Sequence, residues 1–152
     1  MFSFFNFDNH VKPQSLISIN NYAFYDCYSL RNIVIPSSVK YIGDNAFDNC
    51  FNLESVTFEP GTTAMSIGAG AFNNCSRLSY VVMPATMMVV GEGAFGGCSS
   101  MSTVEYRGTK AMWYGIRQEI YNEPLLNASV IYDGSPCVID GGVLYFDPFT
   151  GH

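Results

Sequence analysis

Hydrophobic and polar positions along the chain recur with a long period rather than a helical or strand one. An Ala-Phe pair stands at Ala23-Phe24, Ala46-Phe47, Ala71-Phe72 and Ala94-Phe95, and each Phe is followed three residues later by Cys27, Cys50, Cys75 or Cys98. Leu30, Leu53, Leu78 or Met101 comes next, followed by the alternating pairs Ile33/Ile35, Val56/Phe58, Val81/Met83 and Val104/Tyr106. Successive Phe positions are 23, 25 and 23 residues apart, as are successive Cys positions. A period of this length, held by several positions at once, is the mark of a solenoid.

Each repeat predicts one coil, over residues 19–41, 42–66, 67–89 and 90–108. Alternation predicts a short strand at 31–35, 54–58, 79–83 and 102–106. Pro36 and Pro84 end two of these strands, because proline cannot donate to a ladder. An extended return through Val39 and Ile42 leads to Gly43, Gly68 or Gly91, where backbones pass closely. The Ala-Phe segment is too short for a helix of its own and predicts one helical or 3₁₀ turn. Coils stacked through parallel strands lie roughly 4.8 Å apart. Phe24, Phe47, Phe72 and Phe95 are therefore expected to form one aromatic column, with Cys27, Cys50, Cys75 and Cys98 forming another beside it. The second coil's two surplus residues fall in 59–65, where a surface bulge absorbs them.

The ends depart from the pattern. Residues 1–18 read as a degenerate N-terminal capping half-repeat, with Phe2, Phe4, Phe5 and Phe7 as its lid. Residues 109–132 read as a C-terminal cap, in which Thr109 starts a short helix, Trp113 and Ile116 face inward, and 128–132 form a last strand. Residues 133–152 are a tail, either a hairpin or the start of a further module.

Composition narrows the function classes. Only 13% of residues are charged and the net charge is −6, which argues against nucleic acid or an anionic membrane as partner. No apolar run is long enough to span a bilayer, so membrane insertion is not expected. Residues 1–7 are aromatic without Lys or Arg, unlike an export signal. The four in-phase cysteines read as buried thiols, and there is no C-x-x-C or Cys/His spacing for a metal; Cys137 lies outside the register. Neither His10 nor His152 has a partner at catalytic spacing, so no catalytic residue, metal or cofactor is assigned. Asn127-Ala128-Ser129 is a glycosylation sequon by letter.

The strings IGDNAFDNCFNLESVTF, IGAGAFNNCSRLSYVVMP and VGEGAFGGCSSMSTVEY resemble leucine-rich repeats of the BspA-like class, over about residues 15–106. The stretch from Arg107 to Tyr132 is similar to the closing segment of bacterial members. The resemblance implies an α/β solenoid of four repeats over 19–108: a right-handed leucine-rich-repeat coil with a parallel β-sheet on its concave face, helical or 3₁₀ turns on the convex side and a cap at each end. It also implies a non-catalytic surface or secreted protein that adheres to host proteins or neighbouring cells.

In such a coil the strands' outward residues would form ladders. Their columns are Arg31, Glu54, Ser79 and Ser102; Asn32, Ser55, Tyr80 and Thr103; and Val34, Thr57, Val82 and Glu105. These mixed polar residues around a tyrosine suit a protein or glycan ligand. The competing readings are an intracellular or structural scaffold that spaces a neighbouring domain, and a thiol enzyme using Cys137.

Overall fold

The computed structural model describes residues 16–61 and 63–133, and the backbone of the strands Cys137–Ile139 and Gly142–Leu144. In chain order the strands are β1 (Ser18–Ile19), β2 (Asn32–Ile35), β3 (Tyr41–Ile42), β4 (Ser55–Phe58), β5 (Met65–Ile67), β6 (Tyr80–Met83), β7 (Met87–Val90), β8 (Thr103–Tyr106), β9 (Arg117–Gln118), β10 (Ser129–Tyr132), β11 (Cys137–Ile139) and β12 (Gly142–Leu144). Two short helices, α1 (Lys110–Tyr114) and α2 (Glu123–Leu126), lie among the last of them.

The chain is a β-solenoid, as the repeat implied. Strands β2, β4, β6, β8 and β10 form one five-stranded parallel sheet, here called the broad sheet. The return segments pair as well: β1, β3, β5, β7 and β9 make a second five-stranded parallel sheet that the periodicity did not announce. Most of its strands hold two or three residues, too few for alternation to be seen.

Like residues stack on like. Phe24, Phe47, Phe72 and Phe95 form a continuous column, with ring centroids 4.9, 5.0 and 5.3 Å apart and planes within 9° of parallel. Three of the four in-phase Cys thiols donate to the carbonyl of the Phe one coil back: Cys50 Sγ to Phe24 O at 3.1 Å, Cys75 Sγ to Phe47 O at 3.2 Å, and Cys98 Sγ to Phe72 O at 3.1 Å. The small buried side chain thus also ties neighbouring coils together, which explains why a thiol stands there rather than a methyl group.

The convex segment is not the helical or 3₁₀ turn expected. It is a ribbon of overlapping β-turns in which Ala23, Tyr25 and Cys27 donate N–H to Asn20, Tyr22 and Phe24. The intervening N–H groups of Tyr22, Phe24 and Asp26 donate instead to Asp44, Ala46 and Asp48 of the next coil. Alternation between coils forbids a helix, which would turn every N–H back on its own segment. Positive φ at Tyr22, Asp26, Asn45, Asn49 and Asn74 sets these turns, and the Asn and Asp among them tolerate it best.

At Gly91 the coils leave no room for a side chain: a Cβ there would lie 2.6 Å from the carbonyl carbon of Gly68. The surplus of the second coil enters ahead of β5. Between β5 and β7 the register slips at Met65/Ser66 and leaves Met88 in excess and exposed, while Ile67 and Val90 stay paired.

Residues 109–132 add a layer of their own, giving β9 to the return sheet and β10 to the broad sheet. Thr109 caps α1 by accepting from Met112 N, and Trp113 lies edge-on to Tyr106 with centroids 5.2 Å apart. Of residues 1–18, the described part is 16–18, so the aromatic lid lies outside the described residues, as do His10, His152 and the side chain of Cys137.

Candidate functional site

The outward residues of the broad sheet line up as the strand register dictates. Asn32, Ser55, Tyr80, Thr103 and Ser129 form one column, and Val34, Thr57, Val82, Glu105 and Ile131 the next. A fifth rung from β10 is thereby added to the four read from the repeats. Just before the strands, Glu54 N donates to Arg31 O, Ser79 N to Glu54 O, and Ser102 N to Ser79 O, which carries the first column across the coils.

These columns are unequal in what they offer. Arg31, Asn32 and Glu54 are exposed, and Ser55, Thr57, Ser79, Tyr80, Thr103 and Glu105 are half-buried. Val82 is different: it holds an outward register position but is only 5% exposed, so it contributes no contact surface.

Polar groups on this face pair across adjacent coils. Arg31 Nη1 meets Glu54 Oε1 at 3.1 Å, with both side chains about half exposed to water, so the pair adds little stability. Ser55 Oγ lies 2.6 Å from Asn32 Oδ1. Near the middle, the Tyr80 phenol donates to Glu105 Oε2, and Glu105 Oε1 pairs with Arg107 Nη2 at 3.3 Å. The hydrogen bond to Glu105, helped by burial, pushes the Tyr80 phenol above its ordinary pKa. Arg107 was absent from the columns read in the sequence because it lies one residue beyond β8. Only the fold shows that it reaches back to Glu105.

A second surface has no place in the repeat pattern. Tyr28 and Phe51 stack with centroids 5.6 Å apart, and Tyr22 and Tyr25 meet edge to face at 5.6 Å, all four being exposed. Asn49 Nδ2 donates to the Tyr25 hydroxyl at 3.4 Å, and Asn52 Nδ2 to Tyr28 O at 2.6 Å. Later coils carry Gly, Ser or Asn at the corresponding positions. That break in the pattern was the signal available in the sequence.

Of the in-phase thiols, Cys27 is half-buried and Cys50, Cys75 and Cys98 are buried. Burial pushes the Cys98 thiol up to about 12. Among the described residues no group of His, Cys, Asp and Glu could hold a metal ion, and no helix is long and apolar enough to cross a membrane.

A family model for BspA-type leucine-rich-repeat regions matches residues 1–114 in six copies. The chain belongs to that family. Among solved structures, this BspA-type chain is similar to a leucine-rich-repeat protein of T. pallidum, at 28% identity over 59% of this chain and 51% of that one, with a TM-score of 0.39. It is also similar to a leucine-rich cell-surface protein of Faecalibacterium prausnitzii A2-165, at 19% identity over 88% of this chain and 47% of that one, with a TM-score of 0.37. The BspA-type chain thus spans about half the length of each. No curated protein matches it.

Proposed function

We propose that this BspA-type chain is a non-catalytic binding module of a surface or secreted adhesin, taking a protein or glycan ligand from a host or neighbouring cell on the outer face of its broad sheet. The observation that carries the reading is the cluster of Tyr80, Glu105 and Arg107 on that face, with Arg31 and Glu54 on the same ladder. A half-buried tyrosine held by a carboxylate presents a rigid aromatic surface that loses little entropy on binding. Both signs of charge lie around it, which suits a polar, uncharged or mixed-charge ligand better than a polyanion.

Screening the protein against extracellular-matrix proteins and glycans tests this, with Tyr80→Ala and Glu54→Lys as variants. At least one of them is expected to weaken the interaction found, and unchanged affinity in both sinks the assignment. Fractionation of native cells tests the location, which the adhesin reading places outside. The scaffold reading draws support from the pairings Arg31–Glu54, Ser55–Asn32 and Tyr80–Glu105, since they satisfy much of the face's polarity without a ligand.

A further inference from the structure

At the corner where the convex ribbon meets the broad sheet, two side-chain ladders stop part-way along the solenoid. The backbone there repeats from coil to coil: Phe51, Ser76 and Ser99 donate their N–H groups to Asn49, Asn74 and Gly97, each at 2.9 Å. Tyr28 precedes them in the same place, one residue after its coil's Cys. The rings of Tyr28 and Phe51 lie within 8° of parallel, so Tyr28 covers one face of Phe51 and the opposite face looks toward Ser76. A hydroxymethyl group cannot fill the space of a ring, and Ser99 is as small. A step two coils deep, roughly 10 Å, therefore stands open beside Phe51, whose side of the corner is 41% exposed. The second ladder is one of amides. Asn49 Nδ2 donates to the Tyr25 hydroxyl and Asn74 Nδ2 to Asn49 Oδ1 at 3.1 Å. Gly97 comes next without a side chain, which leaves Asn74 Oδ1 at the step with no donor among the described residues.

Charge at the step is uncompensated. Residues 67–89 hold a single charged side chain, the exposed Arg77, and no carboxylate. Arg77 Nη1 donates to Asn52 Oδ1 at 3.3 Å, which draws the guanidinium back over the second coil, next to Phe51 in the chain. Carboxylates of that coil are engaged elsewhere: Glu54 with Arg31, Asp48 with the amides of Asn45 and Asn73, and Asp44 with the N–H of Ala69. Most of the five N–H donors of Arg77 are therefore left for a ligand. We propose that this step binds a carboxylate-bearing sugar of an acidic glycan, at a site separate from the outer face of the broad sheet. The sugar ring takes the third place in the aromatic stack. Its weakly positive C–H face lies on the negative face of Phe51, its carboxylate meets Arg77, and its hydroxyls meet Ser76 and Asn74 Oδ1. One open ring face rimmed by hydroxyl, amide and guanidinium groups matches a sugar, which is apolar on its faces and polar at its edge. A peptide needs an apolar groove or a free strand edge, and this corner has neither among the described residues. The net charge of −6 opposes a polyanion, so one carboxylate held at bonding distance by one guanidinium is the fit.

Titrating the full chain with oligosaccharides ending in glucuronic, galacturonic or sialic acid tests the proposal, each beside its carboxyl-reduced form and all beside a glutamate-rich peptide. At least one acidic sugar is expected to bind and to shift the amide resonances of Phe51, Ser76 and Arg77, with affinity falling about tenfold or more on carboxyl reduction. Phe51→Ala and Arg77→Gln are each expected to weaken binding about tenfold. Ser76→Phe lays a third ring in the step and is expected to abolish binding while the denaturant midpoint stays at the native value or above. A loss in Phe51→Ala caused only by altered folding would not be reproduced by that variant. Met88→Ser, on the return sheet, is expected to bind as the native chain does. Full affinity in Ser76→Phe, equal affinity for the acidic and reduced sugars, or binding by none of them overturns the site. Shifts confined to Tyr80, Glu105 and their neighbours would overturn it while supporting the broad-sheet reading. Shifts at the step produced by the peptide alone would mean a protein partner and would also overturn it.

Discussion

Asn122 stands where the next coil would be, and its removal should be the most costly single change at the C-terminal end. In the inner coils the N–H groups of Phe24, Phe47 and Phe72 donate to the carbonyls of Ala46, Ala71 and Ala94. Phe95 has no such alanine above it, and its N–H donates to Asn122 Oδ1 at 2.9 Å. The same side chain returns its Nδ2 to Gly91 O and Glu119 O, both at 2.9 Å, and is 1% exposed. Asn122→Ala therefore removes the partner of the Phe95 N–H and of the Glu119 carbonyl, while Gly91 O keeps its bond from Ala94 N. At about 1–3 kcal/mol for each orphaned group, partly relieved by entering water, the cost should be about 2–4 kcal/mol. Urea unfolding followed by circular dichroism and by Trp113 emission measures it, and the Trp113 transition should move to lower urea than the far-ultraviolet one, because the end layer opens first.

Asn122→Asp sharpens the test. A carboxylate can still accept from Phe95 but must face the Gly91 and Glu119 carbonyls, while the protonated acid can donate to one of them. Folding then holds the proton more tightly than the unfolded chain does, so the pKa is raised in the folded state. The deficit relative to the native protein should be smallest at acid pH and should grow as pH rises through about 4 and beyond, opposite to a paired carboxylate. A loss below about 1 kcal/mol for Asn122→Ala, well under the cost of one such group, or a flat pH dependence for Asn122→Asp, refutes the account.

Other expectations follow from the same stacking. Phe72→Ala removes a fully buried ring that touches rings on both sides, and should cost about 3–5 kcal/mol in denaturant melts; Phe24→Ala, with one stacked neighbour among the described residues, should cost less. Equal losses would show that the column is not shared between coils. Gly91→Ala forces a methyl group against the backbone of Gly68 and Ala69 and should lower stability by about 1–3 kcal/mol, read from the same melts. With its thiol pushed up to about 12, Cys98 should resist iodoacetamide at mildly alkaline pH until denaturant is added, as mass spectrometry of the labelled peptides will show. Tyr80→Phe should flatten any fall in stability at alkaline pH. The raised phenol holds its proton in the fold, and its contribution, present below about pH 10, is lost as pH rises through the folded value.

Much of this molecule was legible before any coordinates. In-phase Phe, Cys and Leu positions, with alternating strands after them, determine that coils stack in register, because a hydrophobic column is continuous only if each layer repeats the last. The outward ladders of the broad sheet follow from the same phase. What escaped were features in which one coil answers another through the backbone. The convex ribbon looked helical because its length and composition allow a turn of helix, and only the carbonyls of the adjacent coil draw away every second N–H. The return strands are too short to alternate, Val82 is sheltered despite its outward parity, and Arg107 joins Glu105 from outside its strand. Asn122 carried no signal at all. A single side-chain amide can stand in for a missing peptide, and which asparagine does so is decided by where the chain end comes to rest in three dimensions. Local pattern thus determined the layers, and the bonds between layers were decided by tertiary structure, since hydrogen bonds across more than twenty residues depend on distances that no local window contains.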